Sequence, residues 1–312
     1  MSLPAVLLLA PLPEFLLQPL RQVCTCHDYF HAADPAALLA EVGPEIRAIA
    51  MGGGSLAPIS LLQQLPALEI LSVFGVGYDG VPLAYCQERG LRVTNTPDVL
   101  TDDVADIAMA LVLMTSRRLG EAERFARAGQ WPQGSFPLAH ALRGKRAGIV
   151  GLGRIGKAIA QRLSAHGLSI SYYGRHAQAV DYRFEPNLHA LAAEVDFLIV
   201  ACPGGEGTRH LIDASVLAAL GASGTLINIA RGSIVDEVAL ISALEQGTIR
   251  TAGLDVFENE PHLPPALCQH EKVVLLPHLG SGTHEARLAM AQLCVGNLAA
   301  HFAGQPLLTP VI

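Results

Sequence analysis

The sequence predicts an α/β protein built on two parallel sheets. Three observations point there. Short apolar runs alternate with helix-patterned segments along most of the 312 residues. The runs are rich in Val, Ile and Leu throughout, as strands covered on both faces require. The alternation comes as two series separated by one irregular stretch, which suits two domains at roughly 150 residues each.

The first series has strands over 5–9, 46–50, 70–74 and 91–94, with helical patterns over 35–42, 58–64 and 82–89 between them. Pro58 and Pro82 are expected in the first helical turn, where a missing N–H costs nothing. A longer helix opens at Thr101 or Asp102 and carries Val104, Ile107, Ala108, Leu111, Val112 and Met114. A polar stretch over 129–144, with Trp131, Pro132, Gly134 and Pro137, reads as an excursion between units. The second series places strands over 146–150, 169–173, 197–201, 225–229, 251–254 and 273–276, and a final helix spans about 283–302.

Composition narrows the function classes. Hydrophobic residues make up 51% and charged residues 16%, ample for two cores. The net charge of −7, with no basic block, gives no electrostatic basis for nucleic-acid binding. The apolar start is broken by Pro11, Pro13 and Glu14 and has no positive flank, so it reads as a buried strand rather than a signal peptide. No run approaches the roughly 18 apolar residues of a membrane span. Cys24, Cys26, Cys86, Cys202, Cys268 and Cys294 are scattered, without metal-ligand spacing, so no metal is expected and a reducing cytoplasm is.

The sharpest motif is Gly151-Leu152-Gly153-Arg154-Ile155-Gly156, a GxGxxG sequence. It follows the strand over 146–150 and opens a helix, the context in which the three glycines have separate tasks. Gly151 allows a tight turn, Gly153 lets a pyrophosphate approach the backbone, and Gly156 brings helix and strand together. The helix N-terminus then offers N–H groups to phosphate. The next strand ends in Tyr173-Gly174-Arg175-His176, without the carboxylate that would bind a ribose 2′-hydroxyl. Gly174 leaves room and Arg175 supplies a planar cation for a 2′-phosphate, which points to NADP(H) in preference to NAD(H).

Three later segments put polar residues at strand ends, where open α/β sheets bind ligands. They are Asn228-Ile229-Ala230-Arg231-Gly232, Asp255-Val256-Phe257-Glu258-Asn259-Glu260-Pro261 and Pro277-His278-Leu279-Gly280-Ser281. Singly, each has an ordinary surface explanation. Together they offer a cation, a carboxylate and a histidine, the set needed to reduce a 2-keto acid. An arginine can hold the substrate carboxylate and polarise the keto oxygen. A histidine can protonate the forming alkoxide, and a carboxylate can orient that histidine. Arg231, Glu260 and His278 are the candidates for these three tasks.

Long motifs in order carry a resemblance over essentially the whole chain: VTNTPDVLTDDVADIAMAL ending at Leu111, VGLGRIGKAIA (150–160), INIARGSIVDE (227–237), AGLDVFENEP (252–261), LLPHLGSGT (275–283) and the closing PLLTPVI. The chain resembles the D-isomer-specific 2-hydroxyacid dehydrogenases, above all their NADPH-dependent hydroxypyruvate, glyoxylate and hydroxyphenylpyruvate reductases. The resemblance implies two Rossmann-like or flavodoxin-like domains with the active site in the cleft between them. It assigns 1–100 plus 284–312 to a discontinuous substrate domain and 101–283 to the dinucleotide-binding domain. It puts the catalytic Arg, Glu and His on Arg231, Glu260 and His278. It implies substrate contacts from Met51, Gly52, Gly53, Val76 and Gly77. Besides the fingerprint and the 174–176 segment, it implies cofactor contacts from Val104, Cys202, Pro203, Thr208, Ile229, Ala230, Asp255 and Gly280. It further implies reduction of glyoxylate, hydroxypyruvate or an aryl pyruvate to the D-2-hydroxy acid, with NADH as a possible second cofactor, and a homodimer joined near Trp131. Two other readings stay open: an NAD-dependent dehydrogenase of phosphoglycerate or D-lactate type, and a non-catalytic dinucleotide-sensing, corepressor-like module. Against the NADP preference, His176, Ala177 and Gln178 follow Arg175 where such relatives often add a second basic residue.

Overall fold

The computed structural model describes residues 3–312 and divides into two compact units. One runs up to Leu100 and resumes over Thr283–Ile312; the other is Thr101–Gly282.

The first unit holds β1 (Ala5–Leu8), β2 (Thr25–Asp28), β3 (Ile46–Gly52), β4 (Ile70–Phe74) and β5 (Arg92–Thr94). They pair in parallel in the order β2-β1-β3-β4-β5, the flavodoxin-like arrangement. Every residue of β1 and β4 is buried, which explains their unbroken apolar sequence. The helix Pro35–Val42 starts as its sequence suggests: Asp34 accepts from the N–H of Ala37, and Pro35 fills the first position. Pro58 and Pro82 stand instead at the N-cap positions of Ile59–Leu62 and Leu83–Glu88, one residue before the expected first turn. Two elements were missed. Strand β2 reads Thr-Cys-His-Asp, a polar edge paired on one side alone. The helix Glu14–Val23 carries Pro19 in its interior, which disguised a segment whose Leu16 and Leu20 are fully buried. The helix His284–Phe302 packs on β4, capped by Thr283, which accepts from the N–H of Ala286.

The second unit holds β6 (Arg146–Val150), β7 (Ser169–Tyr173), β8 (Arg183–Phe184), β9 (Phe197–Val200), β10 (Thr225–Asn228), β11 (Thr251–Leu254) and β12 (Val274–Leu275). The parallel order β12-β11-β10-β9-β6-β7-β8 is the Rossmann arrangement with one further strand. Its topological switch lies between β6 and β9, paired from Ala147↔Phe197 to Val150↔Val200. The helix Thr101–Arg117 packs on β11, where a Cβ on Gly253 would come within 3.2 Å of Leu111 and Thr115. Strand β8, two residues long, left no periodicity to read. The helix Leu119–Arg127, set off from its predecessor by Arg118 at φ +53°, was likewise unforeseen; the irregular stretch begins after it and holds one short 3₁₀ turn, Trp131–Gln133. Among the described residues no helix is long and apolar enough to cross a membrane.

Candidate active site

Three loops at the carboxyl ends of β10, β11 and β12 bring Arg231, Glu260 and His278 into one network of the second unit. Arg231 follows β10, its Nη1 donating to the Ala230 carbonyl at 2.7 Å. The loop is fixed by Asn228, a buried amide at the strand end: its Oδ1 accepts from the Ala230 N–H (3.1 Å), and its Nδ2 donates to the Arg231 carbonyl (2.9 Å). Burying an amide is tolerable only with both ends partnered, and here both are.

Glu260 closes the loop after β11. One carboxylate oxygen accepts from the Phe257 N–H at 3.0 Å; the other lies 2.7 Å from His278 Nδ1. An ionised carboxylate can only accept, so Nδ1 carries the proton in this pair. Burial pushes the Glu260 carboxyl up. The His278 hydrogen bond and charge, the Phe257 N–H and the Arg231 charge outweigh it and hold the carboxyl below its ordinary range.

His278 lies at φ +53°, a left-handed conformation uncommon outside glycine. Asp255 keeps it there. The Asp255 carbonyl accepts from the His278 N–H at 2.9 Å, and its carboxylate accepts from the next two N–H groups, Leu279 at 2.6 Å and Gly280 at 2.8 Å. Burial raises the Asp255 carboxyl against the pull of these hydrogen bonds. Sequence reasoning singled out Asp255 only for cofactor contact. Its anchoring of the histidine loop, and the clasp made by Asn228, were missed, although a polar residue closing an apolar strand was a usable signal.

The glycine fingerprint fits a dinucleotide. Gly151 sits at the switch point at φ +98°, and a Cβ there would come within 2.6 Å of Cys202 Cα. A Cβ on Gly156 would stand 2.2 Å from the Gly151 carbonyl oxygen, so only glycine lets the helix approach. Gly153 caps Arg154–Ala165 with no side-chain hydrogen bond, and nothing lies within 4 Å of where its Cβ would be. A backbone cradle is thus open in front of the first helical turn, which begins with Arg154 and Ile155. Gly174 is open in the same sense, with Arg175 and His176 exposed beyond it. Gln178 ties that turn to the cradle: its N–H donates to the Tyr172 hydroxyl at 2.6 Å and its Nε2 to the Leu152 carbonyl at 2.9 Å. After β9, Thr208 Oγ1 donates to the Pro203 carbonyl at 2.8 Å, rounding the loop that starts at Cys202. Ile229 and Ala230 are buried at the end of β10, and a Cβ on Gly280 would touch Val104 and Asp255 at 3.3 Å.

In the first unit, Met51 and Gly52 end β3, and Gly53 follows against the turn after β4. A Cβ on Gly53 would come within 3.1 Å of the Gly77 carbonyl, and one on Gly75 within 2.9 Å of Gly53 Cα. The Gly53 N–H donates to the Phe74 carbonyl at 3.2 Å, and Asn95 Nδ2 holds the Val76 carbonyl at 2.8 Å. Two glycine-rich strand ends therefore meet backbone to backbone. Among the described residues no group of three or more His, Cys, Asp or Glu is placed to hold a metal ion.

A parallel-sheet dinucleotide cradle beside an Arg–Glu–His network defines an oxidoreductase of the nicotinamide class. Residues 109–280 match the family "D-isomer specific 2-hydroxyacid dehydrogenase, NAD binding domain", and the chain belongs to that family. It is 49% identical to a glyoxylate/hydroxypyruvate reductase A of Arabidopsis thaliana, over 98% of both chains. It is 48% identical to a hydroxyphenylpyruvate reductase of Plectranthus scutellarioides, again over 98% of both. The crystal structure of an NADPH-dependent glyoxylate/hydroxypyruvate reductase of Sinorhizobium meliloti, in complex with NADP and malonate, superposes with a TM-score of 0.92 at 44% identity, covering 99% of this chain and 97% of that one.

Proposed function

We propose that this chain reduces a small 2-keto acid of the glyoxylate, hydroxypyruvate or aryl-pyruvate kind to the D-2-hydroxy acid, with NADPH preferred to NADH. The observation that carries the reading is the 2.7 Å His278–Glu260 pair in a network with Arg231. When bound, the dihydronicotinamide supplies the hydride. Gly151, Gly153, Arg154, Ile155 and Gly156 would hold the pyrophosphate, and Gly174, Arg175 and His176 the 2′-phosphate end. Val104, Cys202, Pro203, Thr208, Ile229, Ala230, Asp255 and Gly280 would complete the cofactor site.

The substrate carboxylate and keto oxygen go to the Arg231 fork, which stabilises the charge that builds on that oxygen. His278 donates the proton from Nε2, because Nδ1 is committed to Glu260. Glu260 fixes the ring and favours its charged form. The turn at Val76 and Gly77 would give N–H groups to the substrate carboxylate and Met51, Gly52 and Gly53 would line the same pocket, making the first unit the substrate domain and the second the cofactor domain.

A cytoplasmic homodimer completes the proposal. It is supported by six free cysteines and by Trp131 and Leu138, apolar residues 72% and 97% exposed on the irregular stretch. Initial velocities with NADPH and NADH against glyoxylate, hydroxypyruvate, phenylpyruvate and pyruvate test the reading. Rapid NADPH oxidation with at least one acid is expected; measurable NADPH binding without turnover of any acid would overturn it in favour of a sensor.

A further inference from the structure

Two residues before Glu260, a second carboxylate is held at both ends. Glu258 Oε1 accepts from Arg209 Nη2 at 2.9 Å and lies 2.8 Å from His210 Nε2. The Glu258 main-chain N–H donates to Glu237 Oε1 at 2.7 Å, and Glu237 is buried at the start of the helix Glu237–Glu245. Burial raises the Glu237 carboxyl, against the pull of that N–H. Asp236 Oδ2 stands 4.0 Å from His210 Nδ1, so the imidazole faces carboxylates on both sides and Arg209 beside it.

The segment that supplies Arg209 and His210 is itself stitched to the Arg231 loop. The His210 N–H donates to the Ser233 carbonyl at 2.9 Å with His210 at φ +49°, the Ile212 N–H to Ile234 at 3.0 Å, and the Asp236 N–H back to Ile212 at 3.0 Å. The same segment begins at the Cys202–Thr208 turn, rounded by the Thr208–Pro203 hydrogen bond. Three strand-end loops are therefore joined at one residue, Glu258, through its carboxylate and its main-chain N–H. An exposed ion pair adds little to stability, since water screens it and ordering two long side chains costs entropy. What it can fix is the relative placement of the loops it spans.

We propose that Glu258, with Arg209 and His210, forms a clamp that passes engagement of the dinucleotide at the 202–208 turn to the Glu260 carboxylate. All three act as positioning residues: none touches the reacting atoms, and each acts through the 255–261 loop. The inference rests on the reductase reading above.

The test uses the full chain as wild type, Glu258→Ala, Glu258→Gln and Arg209→Ala. In the wild type, NADPH should slow hydrogen–deuterium exchange over 255–261; in Glu258→Ala and Arg209→Ala that protection should be lost. With NADPH and a keto acid, Glu258→Ala should lower kcat about 10-fold while KM for the acid moves less than about twofold, because misplacing a catalytic group acts on turnover. Its thermal midpoint should stay within about 2 °C, and Glu258→Gln, which keeps an acceptor for Arg209, should recover most of the rate. Wild-type kcat in Glu258→Ala overturns the clamp and leaves the reductase reading intact. So does a rate loss that tracks a fall in thermal midpoint equally in Ala and Gln variants, or the absence of NADPH protection over 255–261 in the wild type. A wild type that turns over no keto acid overturns the reductase reading itself.

Discussion

Gly232 lies so close to Phe257 that a Cβ on it would stand 1.9 Å from the Phe257 carbonyl carbon and 2.2 Å from the Glu258 nitrogen. The loop carrying Arg231 and the loop carrying Glu260 are thus in backbone contact, and no side chain can yield to make space. Gly232→Ala must drive them apart. A shift of about 1 Å at a catalytic group costs on the order of 100-fold, so kcat/KM for the keto acid should fall by about that factor. Tm should fall as well, since overpacking costs about 1–3 kcal/mol. Steady-state kinetics and a thermal melt check both; an alanine variant with wild-type kinetics would show that the two loops need no fixed spacing.

The low-lying Glu260 carboxyl sets an acid limit. Its folded value lies below the ordinary glutamate range, so its favourable interactions are complete above that range and disappear as pH falls through the folded value. The contribution of Glu260 to kcat/KM should therefore persist through the ordinary carboxylate range and be lost only at lower pH. Glu260→Gln should remove this acidic limb and lower kcat by about 10–100-fold, since an amide neither charges nor orients the imidazole as a carboxylate does. Rates between pH 3.5 and 8, about the span over which a carboxylate and a histidine titrate, separate the outcomes. An unchanged acidic limb in the glutamine variant would assign that limb to another group.

Arg175 stands exposed past the end of β7, in a turn tied by Gln178 to the Leu152 carbonyl of the glycine cradle. A charge-assisted hydrogen bond to phosphate contributes about 1.5–3 kcal/mol, or roughly 10–100-fold in affinity. Arg175→Ala should raise KM for NADPH by that factor and leave KM for NADH within about threefold. Equal losses with both cofactors would mean that Arg175 does not read the 2′-phosphate. Gln178→Ala should weaken both cofactors alike, because it loosens the turn itself rather than removing the charge.

How much of this was legible in the sequence depended on whether a signal was local. Strands buried on both faces declared themselves, because β4, β9 and β10 have no exposed residue to break the apolar run. The helix Arg154–Ala165 was legible from its glycines together with the strand that leads into them. Strand β2 was hidden because an edge pairs through its backbone, which leaves Thr-Cys-His-Asp free to be polar. The network divides the same way. Arg231, Glu260 and His278 each follow a recognisable strand. The Asn228 clasp, spanning two and three residues, was local and could have been read; the other contacts act across 24 and 25 residues from Asp255 to Leu279 and Gly280, and across 48 and 49 from Glu258 to His210 and Arg209. Pairings over such separations have no sequence periodicity and become visible only once the sheet places the loops side by side.

The same distance argument makes the C-terminus a testable part of the first unit. Asn297, fully buried in the last helix, uses its whole amide: Oδ1 accepts from the N–H groups of Leu308 (2.9 Å) and Thr309 (3.0 Å), and Nδ2 donates to the Leu293 carbonyl and Thr309 Oγ1, both at 2.8 Å. Thr309 Oγ1 passes the constraint to the Asn95 carbonyl at 2.6 Å, and Asn95 Nδ2 to the Val76 carbonyl at 2.8 Å. Asn297→Ala strands two backbone donors in a part-buried setting, at about 1–3 kcal/mol for each unsatisfied group, so Tm should drop by about 5–10 °C. Since the chain of contacts ends at the turn proposed to hold the substrate carboxylate, KM for the keto acid should rise more than kcat falls. Asn297→Asp keeps the acceptor for both N–H groups and should retain more of the stability than alanine does. A large Tm loss with KM unmoved would confine Asn297 to folding and detach the C-terminal segment from the Val76 turn.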